Sequence, residues 1–320
     1  MHELCEQMRE LGVDVEMRYT GHLRNPLCVL SAIRRLRRTS RTHDLVHAQF
    51  GSACGFTTSF APGRKLLTLR GTDLLGMDTG AWLHLAHGLA CRSLTRMSLS
   101  CFGVIIVMSR RMRRELIERF APKAAVEVLP DGIDLEAFQP IDRAEARRRL
   151  GEASDDGPWV LFSSVSGTGS PVKRPALARA AFDRFKRAEP RAKFKFLSGQ
   201  PHERVPLWVN ASDVVLLTST REGWPNIVKE ALACNVPFVS TDVSDLHDIA
   251  QAEPSCFVAD AEPDALAEAL QAAVGAGRKA DLRRYTVGMD IETVGRRLKA
   301  IYEGMLSSES PDRRADECPQ

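Results

Sequence analysis

No apolar run in this 320-residue chain approaches the ~20 residues that a helix needs to cross a bilayer. The best candidate, Val104 to Met108 with its neighbours, has the length of a buried strand. No signal peptide is expected, since polar helix follows Met1 directly. Paired cysteines are absent: Cys5, Cys28, Cys54, Cys91, Cys101, Cys234, Cys256 and Cys318 are scattered with no C-x-x-C. That usage suits buried or free thiols in a reducing cytoplasm rather than a disulfide scaffold or a zinc site. Aromatics are scarce, at 6%, and none interleaves with the Arg-rich stretches. This counts against a surface that stacks nucleic-acid bases. Gly167-Thr168-Gly169 has no third glycine, so it makes a poor dinucleotide fingerprint.

What is present is an alternation of short apolar runs and amphipathic stretches, the pattern of an α/β protein long enough for two domains. The most informative stretch is 213–249. Asp213 to Ser219 is rich in Val and Leu and suits a strand buried on both faces. Pro225 stands where a helix begins, because the first helical residue has a proline-like φ and needs no N–H. The helix is predicted over 226–234, closed by Asn235 in the left-handed conformation and blocked by Pro237. A strand over 236–241 follows. A helix that starts just past a buried strand offers free amides and the positive end of its dipole to anions. The candidate donors are the amides of Gly223, Trp224, Asn226, Ile227 and Val228. Glu222 lies on the approach and Glu230 within the helix. Eight positions along one helix would separate them by ~12 Å, but Glu222 sits in the preceding loop, so both can face one elongated ligand. A sugar nucleotide has that shape, with hydroxyls at each end and a diphosphate between.

The run EGWPNIVKEALACNVPFVSTDV, from Glu222 to Val243, resembles the E-x7-E signature of the retaining glycosyltransferases of family four. The resemblance implies the GT-B fold, two Rossmann-like domains facing across a cleft. It also implies that Glu222 contacts the hydroxyls of the donor sugar and that Glu230 holds the nucleotide ribose. Any two glutamates eight apart are by default solvated carboxylates. Spacing, proline, helix and following strand together outweigh that reading here.

Elsewhere the likeness is looser. Leu4, Met8 and Leu11 predict a first helix stopped by Gly12, and 13–19 a strand; the family's first strand and its Gly-rich loop have no counterpart. Residues 27–38 predict an amphipathic helix with Val29, Leu30, Ile33 and Leu36 inward and Arg34, Arg35, Arg37 and Arg38 outward. A strand over 44–49 carries His47, a candidate site residue at even odds with a structural one. Arg70-Gly71-Thr72-Asp73 ends the next strand and resembles the family's T-F-H-G-S-D segment, with Arg70 in place of the His at the reaction centre. Arg70 can donate hydrogen bonds to an anionic acceptor but cannot act as a general base. A helix over 110–120 buries Met112, Leu116 and Phe120 and exposes Arg110, Arg111, Arg113 and Arg114. Pro130 to Asp134 resembles the turn that ends the family's first domain. By the same resemblance Lys173 meets the donor diphosphate from the loop after the strand at 159–164, with Arg174 as a substitute for the expected Arg.

The expected organisation is an acceptor domain over 1–140, a linker over 141–157 and a nucleotide-sugar domain over 158–288. A crossover helix over 289–305 and a disordered tail over 306–320 complete it. The implied reaction moves a sugar from a nucleotide diphosphate to a lipid-linked or polysaccharide acceptor with retention, in the cytoplasm. No D-x-D triplet is present, so metal independence is expected and no cofactor is implied. The Arg clusters read as solvated helix faces, as a surface for anionic membrane lipids or, least well, as a nucleic-acid contact. A non-catalytic nucleotide-sugar-binding protein, or a truncated inactive glycosyltransferase, is the alternative. A GT-B epimerase or phosphorylase is disfavoured, since no pyridoxal-anchoring lysine region is found.

Overall fold

The computed structural model describes residues 2–19, 26–75, 82–152, 157–164, 171–278 and 280–307. Four parallel strands, β1 (Leu45–Ala48), β2 (Arg64–Leu69), β3 (Val104–Val107) and β4 (Ala125–Val128), form the first sheet in that spatial order. Five more, β5 (Trp159–Ser163), β6 (Lys193–Leu197), β7 (Val214–Leu217), β8 (Phe238–Ser240) and β9 (Phe257–Val258), form the second, in the order β6-β5-β7-β8-β9. Around the first sheet lie α1 (His2–Glu10), α2 (Pro26–Thr39), α3 (Ser52–Ser59), α4 (Thr72–Leu75), α5 (Trp82–Ser98) and α6 (Arg110–Phe120). Then follow α7 (Arg143–Arg149), α8 (Pro175–Ala188), α9 (Val205–Ala211), α10 (Asn226–Ala233), α11 (Leu246–Ala252), α12 (Pro263–Ala276) and α13 (Ile291–Ser307).

The second sheet reverses direction between β5 and β7: the chain leaves β5 toward β6 on one side and returns to β7 on the other. Loops diverging from the carboxyl ends of such neighbours leave a crevice, the usual ligand site of an open parallel sheet. Here those loops carry Lys173 and Glu222. Val214 to Leu217 is buried on every residue, as a strand covered on both faces requires. Asn235 has φ 56 and closes α10 as its neighbours predict. Helix α13 returns to the first domain, where Tyr302 bonds His47 and Lys299 bonds the Leu11 carbonyl at 2.8 Å.

Four expectations need correction. Residues 13–19 form no strand: the Val13 amide bonds the Met8 carbonyl and Arg9 bonds the Val15 carbonyl, so the segment is tied to α1 instead of to a ladder partner. On α2 the inward stripe is Val29, Ala32, Ile33 and Leu36, while Leu30 is 51% exposed, because it lies about 100° round the helix from Val29. The charged stretch after Asp142 is partly a helix, α7, capped by the Asp142 side chain. Its Arg147 is buried against the Trp159 ring and pairs with Asp213 at 2.8 Å. Arg110 and Arg111 are engaged by the second domain, as shown below. Gly167, Gly169 and the tail from 308 onward lie outside the described residues.

Candidate functional site

Helix α10 begins at Asn226, as its sequence predicts, with Pro225 as its extended cap, and ends at Ala233, one residue early. The amide of Val228 bonds the Pro225 carbonyl at 3.1 Å, which removes it from the expected set of free donors. Trp224, Ile227 and Val228 turn their side chains into the core. Gly223 packs on the first domain: a Cβ there would lie 2.5 Å from the Arg70 carbonyl oxygen, and one on Gly71 would lie 3.1 Å from the Gly223 nitrogen. The two domains therefore touch through glycine backbone at the leading end of α10.

The approach to that end is laced together. The Glu222 carboxylate accepts from Lys173 Nζ at 2.6 Å and from Ser219 Oγ at 2.7 Å. Thr220 N bonds the Val172 carbonyl at 2.9 Å, and the Thr218 hydroxyl bonds the Lys173 carbonyl at 2.7 Å. Lys173 and Glu222 thus stand together as a pair. Arg174 does not substitute for the missing Arg: with φ 49 it folds back, and its guanidinium bonds the carbonyls of Thr218 and Ser219.

A cavity of about 280 Å³ opens between the domains, and neither Lys173 nor Glu222 is among its lining residues. From the second domain it is lined by Asn226, Lys229, Glu230 and His202, and from the first by Arg70 and Asp131. Asn226, Lys229 and Glu230 occupy i, i+3 and i+4 positions, so they share one face of α10. Burial pushes the Glu230 carboxyl above its ordinary range, while the charges of His202, Lys229 and Lys173 oppose the shift. Lys229 is 1% exposed, and its Nζ donates to the Asp131 carbonyl at 2.6 Å. Burial pulls its ammonium down to about 8, partly offset by the carboxylates of Asp131 and Glu230.

Arg70 is held from three directions. Its Nη1 pairs with the Asp131 carboxylate, its Nε donates to the Gln49 carbonyl at 3.1 Å and its Nη2 to Gln49 Oε1 at 3.2 Å. Beneath it the buried carboxylate of Asp73 gathers the amides of Gly51, Arg70 and Gly71 and fixes the turn. His47 stands behind Gln49 and does not line the cavity. Its two nitrogens meet Tyr302 Oη and Thr68 Oγ1, each at 2.7 Å. Burial, reinforced by the Arg70 charge, pushes the imidazole down to about 3, so it is neutral and structural.

The cavity therefore collects Arg70, Asn226 and Glu230 from the predicted set. Glu222 and Lys173, paired with each other, do not line it, and Gly223, Trp224, Ile227 and Val228 lie at the covered helix end. Lys229, Asp131, Gln49 and His202 escaped sequence reasoning. A lysine beside Glu230 in the otherwise apolar run IVKEALA was the signal available for the first. Among the described residues no group of three or more His, Cys, Asp or Glu side chains is arranged to hold a metal, and no helix is long and apolar enough to cross a membrane.

A second contact joins the domains. Both oxygens of Asp245 accept from the first amides of α6, those of Arg110 and Arg111, at 2.8 Å each. The two side chains reach on to Asp248 at 3.2 Å and Asp242 at 2.7 Å. Asp245 thus supplies the helix with a cap that the local sequence shares only with Ser109, whose hydroxyl takes the Met112 amide.

The family model for Glycosyltransferase Family 4 matches residues 1–137, and that for group 1 glycosyl transferases matches residues 164–297. A Bacillus subtilis protein assigned to teichuronic acid biosynthesis as the glycosyltransferase TuaC is 28% identical over 246 residues, covering 71% of this chain and 60% of the relative. D-inositol 3-phosphate glycosyltransferase of Nocardia farcinica is 30% identical over 166 residues, covering 42% of this chain and 36% of that protein. The chain thus spans about three-fifths and one-third of the length of these relatives. Sucrose-phosphate synthase from Thermosynechococcus elongatus superposes with a TM-score of 0.72 at 16% identity, covering 96% of this chain and 92% of that one. Anabaena HepE in complex with UDP and glucose gives 0.67 at 16% identity, over 93% and 88%. At these identities the likeness establishes the fold, which is GT-B.

Proposed function

Because the chain belongs to the group 1, family 4 glycosyltransferases, we propose that it moves a sugar from a nucleoside-diphosphate donor to a saccharide or lipid-linked acceptor, with retention of configuration. The observation that carries this reading is α10 itself: Glu230 on the wall of an interdomain cavity, and the Lys173–Glu222 pair on the approach to its positive end. Glu230 accepts the ribose hydroxyls. Glu222 accepts hydroxyls of the donor sugar, and Lys173 turns from Glu222 to the diphosphate as the ligand enters. The leaving diphosphate gains charge in the transition state, and the ammonium together with the helix dipole stabilises it. These cations do the work a metal would do, so turnover is expected to survive EDTA.

HepE was solved with UDP, with UDP and glucose, and with UDP-glucose, so uridine nucleotides are the first donors to test. The deciding experiment incubates the chain with UDP-, GDP- and ADP-sugars and candidate acceptors and follows release of the nucleoside diphosphate. Release that depends on acceptor and is lost in Glu222→Gln supports transfer. Donor binding without release would favour the non-catalytic reading, to which the backbone contact between Gly71 and Gly223 lends weight. A peripheral site on the inner leaflet is part of the same reading. On α2, Leu27 and Leu30 are 73% and 51% exposed beside Arg34 and Arg37, which follow at helical spacing. Sedimentation with anionic but not neutral liposomes is expected, and indifference to lipid charge rejects it.

A further inference from the structure

We propose that Arg174 is a positioning residue, which sets the Lys173 ammonium against the Glu222 carboxylate by tying the loop that carries the first to the strand end that leads to the second. The inference rests on the transferase reading and adds a residue that acts through that pair without meeting the donor.

Arg174 has φ 49 and ψ 57, the left-handed region, although it carries a Cβ and Pro175 follows it. Both circumstances disfavour that backbone, since a side chain crowds the next carbonyl and a residue before proline is pushed toward extended conformations. Nor does its side chain cap α8, which begins at Pro175. A residue suited only to starting that helix would be Asn, Asp, Ser or Gly. Backbone of this kind persists only where the surroundings over-determine it, and such places cluster at active sites.

The left-handed turn sends the guanidinium back over the end of β7. Its Nε donates to the Thr218 carbonyl at 2.6 Å and its Nη2 to the Ser219 carbonyl at 3.2 Å. A planar fork holds two successive carbonyls in a fixed plane, which a lysine ammonium cannot do. Ser219 passes the constraint on. Its own hydroxyl donates at 2.7 Å to the same Glu222 oxygen that accepts Lys173 Nζ at 2.6 Å, and its carbonyl also takes the Thr241 hydroxyl at 2.6 Å. Lys173, next in the chain, has its carbonyl bonded by the Thr218 hydroxyl at 2.7 Å. The pair itself spans 49 residues and joins loops that leave β5 and β7, so nothing local to either loop sets its spacing. If Arg174 served the fold alone, the Thr220 amide on the Val172 carbonyl would already join these segments, and glycine would make the turn without the backbone penalty.

The test first titrates the full chain calorimetrically with UDP, GDP and ADP, and carries the tightest binder forward with its nucleoside. The ratio of the two affinities reads the diphosphate alone. Lys173→Ala is expected to lower that ratio about tenfold or more. Arg174→Gly, whose backbone suits the turn, should lower it at least about fivefold while nucleoside affinity and thermal midpoint stay at wild-type values. In the double variant the ratio should lie within about twofold of that in Lys173→Ala, because Arg174 acts through Lys173. Arg174→Lys keeps the charge without the fork and should recover only part of the ratio. A wild-type ratio near one, an unaltered ratio in Arg174→Gly, a parallel loss of nucleoside affinity there, or losses that multiply in the double variant overturn the positioning role; the last would make Arg174 a direct ligand of the diphosphate. If none of the three nucleotides binds the wild type, the transferase reading falls instead.

Discussion

Replacing Asp245 by Ala should loosen the two domains without touching the cavity. The side chain is 11% exposed, and its oxygens take the amides of Arg110 and Arg111 at 2.8 Å. Hydrogen bonds to a charged acceptor contribute roughly 1.5 to 3 kcal/mol each. Arg110 is largely exposed, so water replaces part of what is lost, and about 2 kcal/mol for the pair is a reasonable expectation. That corresponds to a shift of ~30-fold in the ratio of open to closed forms. The assay is amide hydrogen exchange over 109–113, read beside a segment buried well away from the contact, such as 214–217. In Asp245→Ala the Arg110 and Arg111 amides should exchange ~30-fold faster with the β7 reference unchanged. Asp245→Asn keeps one acceptor oxygen and should fall between. Unaltered exchange in the Ala variant would show that the domains are held by the Gly71–Gly223 contact and Lys229, and that the carboxylate is incidental.

Glu230→Ala should weaken binding of the donor nucleotide by at least ~10²-fold, because a carboxylate that accepts two hydroxyls is lost; calorimetric titration with UDP checks this, and equal affinity removes the ribose assignment. Gly223→Ala places a methyl 2.5 Å from the Arg70 carbonyl oxygen, so it should lower the thermal midpoint and reduce turnover, whereas Gly275→Ala, where a Cβ meets nothing, should not. His47 is held neutral with its pKa pushed down to about 3 from 6.5, so the unfolded chain binds the extra proton first as pH falls. Its contribution is complete above pH 6.5 and is lost between there and about 3. His47→Gln should flatten that part of a plot of urea midpoint against pH, and an identical acid limb in both proteins would exclude the assignment.

Much of the fold was legible because its signals are local. The buried run at β7, the proline before α10, Asn235 behind it and the glycine after α1 each act within a few residues, and each stands where it was expected. Position 30 misled because Leu30 lies beside the apolar stripe of α2 without being part of it. The site was half legible for the same reason. Glu222 and Glu230 belong to one contiguous motif, whereas Lys229 and Asp131 are 98 residues apart and Asp245 meets Arg110 across 135. Nothing in the run RRMRR distinguishes an arginine at a domain boundary from one in water until the second domain is set against it. Residues 13–19 failed for lack of a neighbour: alternating polarity describes what a strand could bury, and a ladder decides whether it exists.

The Asp245 contact has a consequence for anyone who redesigns this chain. Its donors are main-chain groups, so no exchange of arginine for another ordinary residue at 110 or 111 can delete them, although such an exchange would lose the ion pairs to Asp248 and Asp242. Proline is the exception, and position 110 opens a helix, where proline is usually welcome and is often installed to stiffen a protein. In this molecule that routine improvement would strike out a donor facing the second domain, and a gain in rigidity within one lobe would surface as slack between the two.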